Sequence, residues 1–284
     1  MADGDFVDLD WLDGPPMAPL VVVLHGLEGS VRSHYVVGLL GEAAARGWRG
    51  VVLNFRSCSG ELNRLPRFYH SGETSDLDAV IARLLEREPE LRIVAVGVSL
   101  GGNVLLKWLG ERELDAPKQV AGAAAISVPF DLAASARVLD RGFPRAVYTK
   151  NFLRTMKRKV EAKAERFPGF VDVAAARRAQ TFAEYDRAVT APLNGFADEV
   201  DYWTRASSGP YLPRIRRPTL LINAVDDPLV PAESLPEVGV LPDGVIAEFL
   251  PRGGHVGFVE GPWPWRVRSW AERRAMEFLV DVLR

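Results

Sequence analysis

The chain has 284 residues, a formal net charge of −2, 48% hydrophobic and 25% charged residues, and one cysteine. This charge balance gives no overall field that would attract nucleic acid, and one cysteine excludes an internal disulfide or a multi-cysteine zinc site. The length is sufficient for one large α/β domain with an inserted subdomain.

The N-terminal segment, MADGDFVDLDWLDG, is acidic and lacks a basic region followed by an apolar stretch. It therefore does not predict a secretory signal. No apolar run approaches the ~18 residues needed to span a bilayer. Together with the single Cys58, these features predict a cytoplasmic protein with no stable membrane anchor.

Strand-like and helix-like stretches alternate along the chain. The predicted strands are residues 6–11, 20–24, 50–55, 92–98, 120–128, 219–224 and 245–250. The predicted helices are residues 34–46, 73–88, 100–113 and 266–283. Apolar strands alternating with helices indicate a mostly parallel sheet with helices on both faces. In such sheets a ligand site lies at the carboxyl ends of the strands.

The alternation stops between residues 130 and 217, where the chain is polar, helix-rich and punctuated by proline and glycine. We predict a helical cap at 130–213, inserted into a core formed by 1–129 and 214–284. One basic stretch, 150–167, places Phe152, Met156 and Val160 at a spacing of four residues. It could dock on an anionic membrane surface, but a solvated cap helix with its apolar face over a pocket is the favoured interpretation.

The segment VAVGVSLGGNVLLKW, residues 94–108, runs from a buried strand through Ser99 into a helical pattern. A sharp strand-to-helix turn leaves little room two residues either side of the serine, which explains Gly97 and Gly101. Such an elbow exposes a nucleophilic hydroxyl above the sheet. A helix-capping serine and a phosphate loop are the alternatives. The segment has neither a Gly-Lys-Ser/Thr ending nor a dinucleotide fingerprint.

A serine nucleophile needs a base and a carboxylate to orient that base. Of four histidines, His255 follows a predicted strand in the loop PRGGHVGF, and LLINAVDDPLVP offers Asp226 and Asp227 after another strand. A surface-loop histidine and a turn-forming Asp-Asp-Pro are the alternative interpretations. The chain order serine, aspartate, histidine is that of the α/β-hydrolase fold.

His25 lies in VVVLHGLEGS, directly after an apolar strand. In the same fold this turn supplies half of an oxyanion hole, which predicts backbone amides of Leu27 and Leu100 as the donors. His25 itself is expected to shape the turn, with a substrate contact as the alternative. His70 and Cys58, in the long loop after the third core strand, either line the pocket or stabilise the loop.

The stretches LHGLEGS, GVSLGGNVLLKWLGE, TAPLNGFADEVDYW, LINAVDDPLVP and PRGGHVGFVEG resemble the α/β-hydrolases, and within them the YheT-type branch related to mammalian lipid esterases. The resemblance implies a serine hydrolase acting on carboxylic esters, either short-chain or lipid-like, with Ser99, Asp227 and His255 as the triad. Pro228 also favours Asp227, because proline biases the preceding residue toward an extended backbone. Asp226 is then expected to bind the amides of its own turn.

The resulting prediction is a carboxylesterase that works through an acyl-enzyme, takes a small ester as substrate, and uses neither metal nor cofactor. The same triad would serve an acyltransferase or a perhydrolase if an alcohol or peroxide replaced water. A non-catalytic binding module on a hydrolase scaffold is the alternative from a different functional class.

Overall fold

The computed structural model describes residues 1–261 and 268–284. The strands are β1 (Asp8–Leu12), β2 (Leu20–Leu24), β3 (Arg49–Asn54), β4 (Ile93–Val98), β5 (Val120–Ile126), β6 (Thr219–Ala224), β7 (Val245–Leu250), β8 (Val259–Glu260) and β9 (Arg268–Ser269). The helices are α1 (His34–Ala45), α2 (Ser75–Arg87), α3 (Leu100–Arg112), α4 (Leu132–Leu139), α5 (Gly142–Pro144), α6 (Lys150–Arg166), α7 (Val173–Arg178), α8 (Phe182–Tyr185), α9 (Ala191–Leu193), α10 (Glu199–Ala206) and α11 (Trp270–Leu283).

Seven strands form one sheet in the order β1-β3-β2-β4-β5-β6-β7. Strand β1 runs antiparallel to β3, and every other neighbouring pair is parallel. Strands β2 and β4 are buried along their whole length, as continuous apolar strands covered on both faces should be. The predicted fold class is confirmed.

Both faces of the sheet are covered by helices. Val22 belongs to a core cluster that includes Val104 of α3. Its neighbour Val21 belongs to a second cluster, with Val36 of α1 and Met276 of α11. Successive residues of a strand point to opposite faces, so one apolar run supplies both cores.

The boundaries differ from prediction at several places. Strand β1 begins at Asp8 and β5 ends at Ile126, each two residues inside the predicted limit. The predicted helix start at residue 266 lies outside the described residues. The short antiparallel pair β8–β9 was not predicted, because two-residue strands are too short to show a periodic pattern.

The segment between β5 and β6 contains helices α4 to α10 and, within the described chain, no strand. These helices share their own apolar cluster, which includes Leu153, Val160 and Trp203. Phe68 from the core loop belongs to this cluster, and Leu27 packs against it. The predicted cap residues therefore cover the carboxyl ends of the strands.

Helix α6 agrees with the favoured interpretation only in part. Phe152 and Met156 line the cavity below the cap, as an apolar face over a pocket predicts. Lys163, however, is fully buried rather than solvated. Its ammonium donates to Asn63 Oδ1 at 2.7 Å and to the Arg67 carbonyl at 3.0 Å. Long side chains of this kind tie the cap helix to the loop that follows β3.

Candidate active site

Ser99 lies in a strained turn between β4 and α3, with φ of 53°. A Cβ atom on Gly97 would lie 2.5 Å from the Gly101 carbonyl oxygen, and one on Gly101 would lie 2.4 Å from the Leu24 oxygen. Side chains at these two positions would collide with backbone atoms, which cannot move aside. The elbow expected from the glycine spacing is therefore present, and it leaves Ser99 half-buried at the sheet edge.

The structure brings Ser99, His255 and Asp227 into one hydrogen-bonded chain. The Nε2 atom of His255 is 3.0 Å from Ser99 Oγ, and its Nδ1 atom is 2.8 Å from Asp227 Oδ2. The Asp227 side chain is completely buried. A carboxylate beside Nδ1 fixes the proton on that nitrogen and leaves Nε2 free to accept the Ser99 proton.

The two neighbouring aspartates have different partners, and one expectation about them is wrong. Asp227, not Asp226, binds the amides of its own turn, since its Oδ1 accepts from Leu229 N at 2.8 Å. Asp226 Oδ1 instead accepts from the amides of Gly253 and Gly254, at 2.9 and 2.8 Å. Asp226 therefore holds the loop that carries His255.

A second strained residue follows His255 directly. Val256 has φ of 59°, a conformation that β-branched residues rarely adopt. Its amide donates to the buried Ser127 Oγ at 3.1 Å. Asp226 and Ser127 thus fix the histidine loop from both sides of His255. Sequence reasoning missed both roles, because each contact joins residues distant in the chain.

In the turn after β2, the amide of Leu27 donates no hydrogen bond to the described part of the chain, whereas the amides on either side of it do. Gly26 N donates to the Tyr35 hydroxyl at 2.9 Å, and Glu28 N donates to the Tyr69 hydroxyl at 2.8 Å. Among the described residues, neither Leu27 N nor Leu100 N donates to a protein acceptor. Both leucines line the cavity with Ser99. Free amides next to a nucleophile are the arrangement that stabilises an oxyanion.

His25 and His70 have different environments. His25 lies outside the lining of the cavity and is fully buried; Phe55 N donates to its Nε2 at 3.1 Å, and its Nδ1 lies 2.7 Å from the Gly26 carbonyl. These contacts shape the turn, in agreement with the first expectation for His25, and they leave no part of the imidazole on the cavity wall. His70 does line the cavity. Burial lowers the pKa of each imidazole to about 4, so both are neutral at pH 7.

An ion pair joins the cap to the turn that carries Leu27. Lys159 of α6 donates to Glu28 Oε1 at 2.7 Å, and the Tyr69 hydroxyl donates to the same oxygen at 3.0 Å. The Lys159 ammonium also lies 3.5 Å from Cys58 Sγ. Burial raises the pKa of the Cys58 thiol to about 11, so the thiol stays protonated at pH 7. It packs beside Lys159 as part of the contact between the cap and this turn.

The cavity between cap and core opens to solvent, and about 1090 Å³ of space that no protein atom fills lies within the cavity and its mouth. Its wall is mostly apolar and includes Leu132, Leu139, Phe152, Met156 and Leu229. Within residues 1–261 and 268–284, no three His, Cys, Asp or Glu side chains are grouped to hold a metal ion. The helices of that same part of the chain include none that is long and apolar enough to cross a bilayer.

Comparison with known proteins identifies the family. The family model for the α/β-hydrolase fold matches residues 19–262. Along its full length the chain is 41% identical to YheT of Escherichia coli (strain K12), a candidate esterase, and it covers 84% of that protein. The chain belongs to the α/β hydrolases. The resemblance to the YheT-type branch is thereby confirmed.

Further similarities extend over nearly the whole of this α/β hydrolase. It is 30% identical to human phospholipase ABHD3, with 98% of this chain and 69% of that protein covered. The esterase Pf2001 of Pyrococcus furiosus has the same fold, with a TM-score of 0.63 at 19% identity over 99% of this chain and 88% of that one. The protein is therefore a hydrolase by family.

Proposed function

We propose that this hydrolase is a serine carboxylesterase that cleaves lipid-like esters through an acyl-enzyme. The observation that carries the proposal is the hydrogen-bonded chain from Ser99 through His255 to Asp227 at the wall of a mostly apolar cavity. An apolar cavity suits the acyl chain of an ester, and the triad suits attack on its carbonyl carbon.

In the proposed reaction, His255 takes the Ser99 proton while Oγ attacks the ester carbonyl. Leu27 and Leu100 donate their amides to the developing oxyanion, a contribution of about 3 kcal/mol for each donor. The protonated His255 then gives its proton to the departing alcohol. Water activated by the same histidine releases the acid and restores the free serine.

The names of relatives support the same substrate class. YheT is a candidate esterase, ABHD3 is named a phospholipase, and a relative in Saccharomyces cerevisiae, 29% identical over 87% of this chain, is named a monoacylglycerol lipase. The substrates of lipases and phospholipases contain long acyl esters. We further propose that the enzyme works in the cytoplasm, where its free Cys58 thiol would stay reduced.

A fluorophosphonate probe tests the nucleophile. Wild-type protein should be labelled, and Ser99→Ala should lose labelling and p-nitrophenyl ester hydrolysis while keeping its circular dichroism spectrum. Ser71→Ala is the matched control, because Ser71 lines the same cavity but is not a hydrogen-bond partner of His255. Labelling that persists in Ser99→Ala would rule out the proposed mechanism.

A further inference from the structure

The turn that carries Leu27 lies directly against the nucleophile. A Cβ atom added to Gly26 would lie 3.2 Å from Ser99 Cβ and 3.6 Å from the carbonyl oxygen of Val98. A small movement of the turn therefore changes the direction of the Leu27 amide relative to Ser99 Oγ. Because a misplacement of about 1 Å at a reacting centre costs about a hundredfold in rate, the contacts that hold this turn bear on the reaction.

The backbone of the turn is strained and needs support from other parts of the chain. Glu28 has φ of 56°, which is uncommon for a residue other than glycine. Such conformations persist only where the surrounding structure holds them. Gly29 N donates to the Gly26 carbonyl at 3.0 Å and closes the turn. The amides of Gly26 and Glu28 have their acceptors outside the turn.

The carbonyl of Gly26 and the N–H of Leu27 belong to one peptide group. His25 Nε2 accepts from Phe55 N, so the imidazole proton lies on Nδ1, which donates to the Gly26 oxygen at 2.7 Å. A peptide group is planar, so a fixed carbonyl restricts the direction of the N–H at its other end. The remaining freedom of the plane depends on the two neighbouring peptide groups.

Two tyrosine hydroxyls hold these neighbouring peptide groups. Tyr35 in α1 accepts from Gly26 N at 2.9 Å, and Tyr69 in the loop after β3 accepts from Glu28 N at 2.8 Å. The Tyr69 hydroxyl also donates to Glu28 Oε1 at 3.0 Å. One hydroxyl thus contacts both the backbone and the side chain of the strained residue.

Tyrosine is suited to hold a backbone in one place. Its hydroxyl both accepts and donates, and its side chain has only two torsions to fix. The ring of Tyr69 stacks on Phe55, with centroids 5.2 Å apart and planes 6° from parallel. A water molecule would satisfy the same amide without fixing its position. The two tyrosines therefore do more than satisfy two hydrogen-bond donors.

We propose that Tyr35 and Tyr69 are positioning residues of the esterase, which hold the amides on either side of Leu27 so that the Leu27 amide points at the oxyanion. This rests on the proposed function, in which Leu27 is an oxyanion donor. The substrate carbonyl gains most from this donor in the transition state, so loss of a tyrosine hydroxyl affects turnover more than substrate binding.

Tyrosine-to-phenylalanine variants test the proposal by removing one oxygen atom each. Tyr35→Phe and Tyr69→Phe should each lower kcat for p-nitrophenyl octanoate about tenfold, with KM within about twofold of wild type. Tyr202→Phe is the matched control and should keep wild-type kcat. The Tyr202 hydroxyl accepts from Ser71 N at 3.0 Å, and its ring lines the cavity as that of Tyr69 does. An equal fall in kcat for the control would overturn the proposal.

A pair of ketones separates oxyanion binding from general damage to the fold. Ser99 adds to octyl trifluoromethyl ketone and places a negative oxygen in the oxyanion hole, whereas octyl methyl ketone binds without this addition. The inhibition constant of the trifluoromethyl ketone should rise about tenfold in Tyr35→Phe and in Tyr69→Phe, in parallel with the fall in kcat. That of the methyl ketone should stay within about twofold. Equal changes for both ketones would show a structural role only and would overturn the proposal.

The failure of this proposal and that of the esterase mechanism give different results. Fluorophosphonate labelling counts the active sites by which kcat is normalised, so partial unfolding cannot imitate slower turnover. If Ser99→Ala is inactive while both tyrosine variants keep wild-type kcat, the mechanism stands and the positioning role is wrong. If Ser99→Ala keeps its activity, both proposals fall, because no oxyanion then forms at Ser99.

Discussion

The core side and the cap side of the cavity differ in how far their polar groups are hydrogen-bonded. On the core side, Ser99, His255 and Asp227 are hydrogen-bonded to one another before any substrate arrives. On the cap side, Ser135 Oγ and Asn194 Oδ1 are buried and unpaired within the described chain. The first arrangement is ready for a reaction, whereas the second leaves two buried oxygen atoms without the hydrogen bonds that such atoms usually make.

The difference follows from how each side is built. The core side is held by strand ends and by backbone contacts so close that glycine is required at Gly97 and Gly101. The cap side consists of one long helix, α6, and several helices of at most eight residues, and the Lys159–Glu28 ion pair links it to the core. A rigid frame can hold reacting atoms to a fraction of an ångström. A cap held by side-chain contacts can change the shape of the cavity without moving the reacting atoms.

The largest effect is expected from a substitution that interrupts the hydrogen bonds between Ser99, His255 and Asp227 on the core side. Asp227→Asn should lower kcat by about 10⁴, because an amide leaves His255 with the wrong tautomer. Stopped-flow or steady-state hydrolysis of p-nitrophenyl esters measures the loss, with circular dichroism to check the fold. Activity within tenfold of wild type would show that Asp227 does not orient the histidine.

The next effect concerns the rigidity of the core side. Gly101→Ala should destabilise the protein by about 3 kcal/mol, since the added Cβ meets the Leu24 oxygen and overpacking costs are of this order. Gly239→Ala is the matched control, because its Cβ would meet nothing within 4 Å. Urea unfolding compares the two variants. Similar stabilities would mean that the elbow is less tightly packed than its geometry indicates.

The cap side should make stability depend on pH. Burial raises the pKa of Asp186 to about 7 from 3.8, so the folded protein keeps this proton to a higher pH than the unfolded chain. The free energy of unfolding of wild type, relative to Asp186→Asn, should therefore fall as pH rises from about 4 to about 7. The slope is at most about 1.4 kcal/mol per pH unit. Urea unfolding across this range would contradict the prediction if the difference were flat or rose.

The smallest effect is expected from Asp226, which holds the loop of His255 on the core side. Asp226→Ala should lower kcat about tenfold with little change in KM, because the Gly253–Gly254 amides lose the carboxylate that holds the His255 loop. Asp243→Ala, at an exposed aspartate before β7, is the control and should keep wild-type kcat. A fall in kcat for both variants, or for neither, would remove the positioning role.

Local signals in the sequence predicted much of the fold and which three side chains the structure brings together at Ser99. The apolar runs of β2 and β4 are long enough to be recognised, and the glycine spacing identifies the elbow at Ser99. That His255 and Asp227 lie near Ser99 could also be predicted, because each of them follows a strand of the same sheet. Parallel strands end at the same edge of a sheet, so residues that follow them meet even when they are far apart in the chain.

The sequence by itself determined the sheet, its helical covering and which residue types meet at its edge, because strand periodicity and turn chemistry are local properties. Only the tertiary structure decided how the meeting residues divide their roles. Asp226 and Asp227 are adjacent and chemically identical, and their different partners come from the Gly253–Gly254 and His255 positions of a distant loop. The unpaired Ser135 and Asn194 atoms depend likewise on how the cap helices pack, since a missing hydrogen bond is a property of the surroundings and not of the residue.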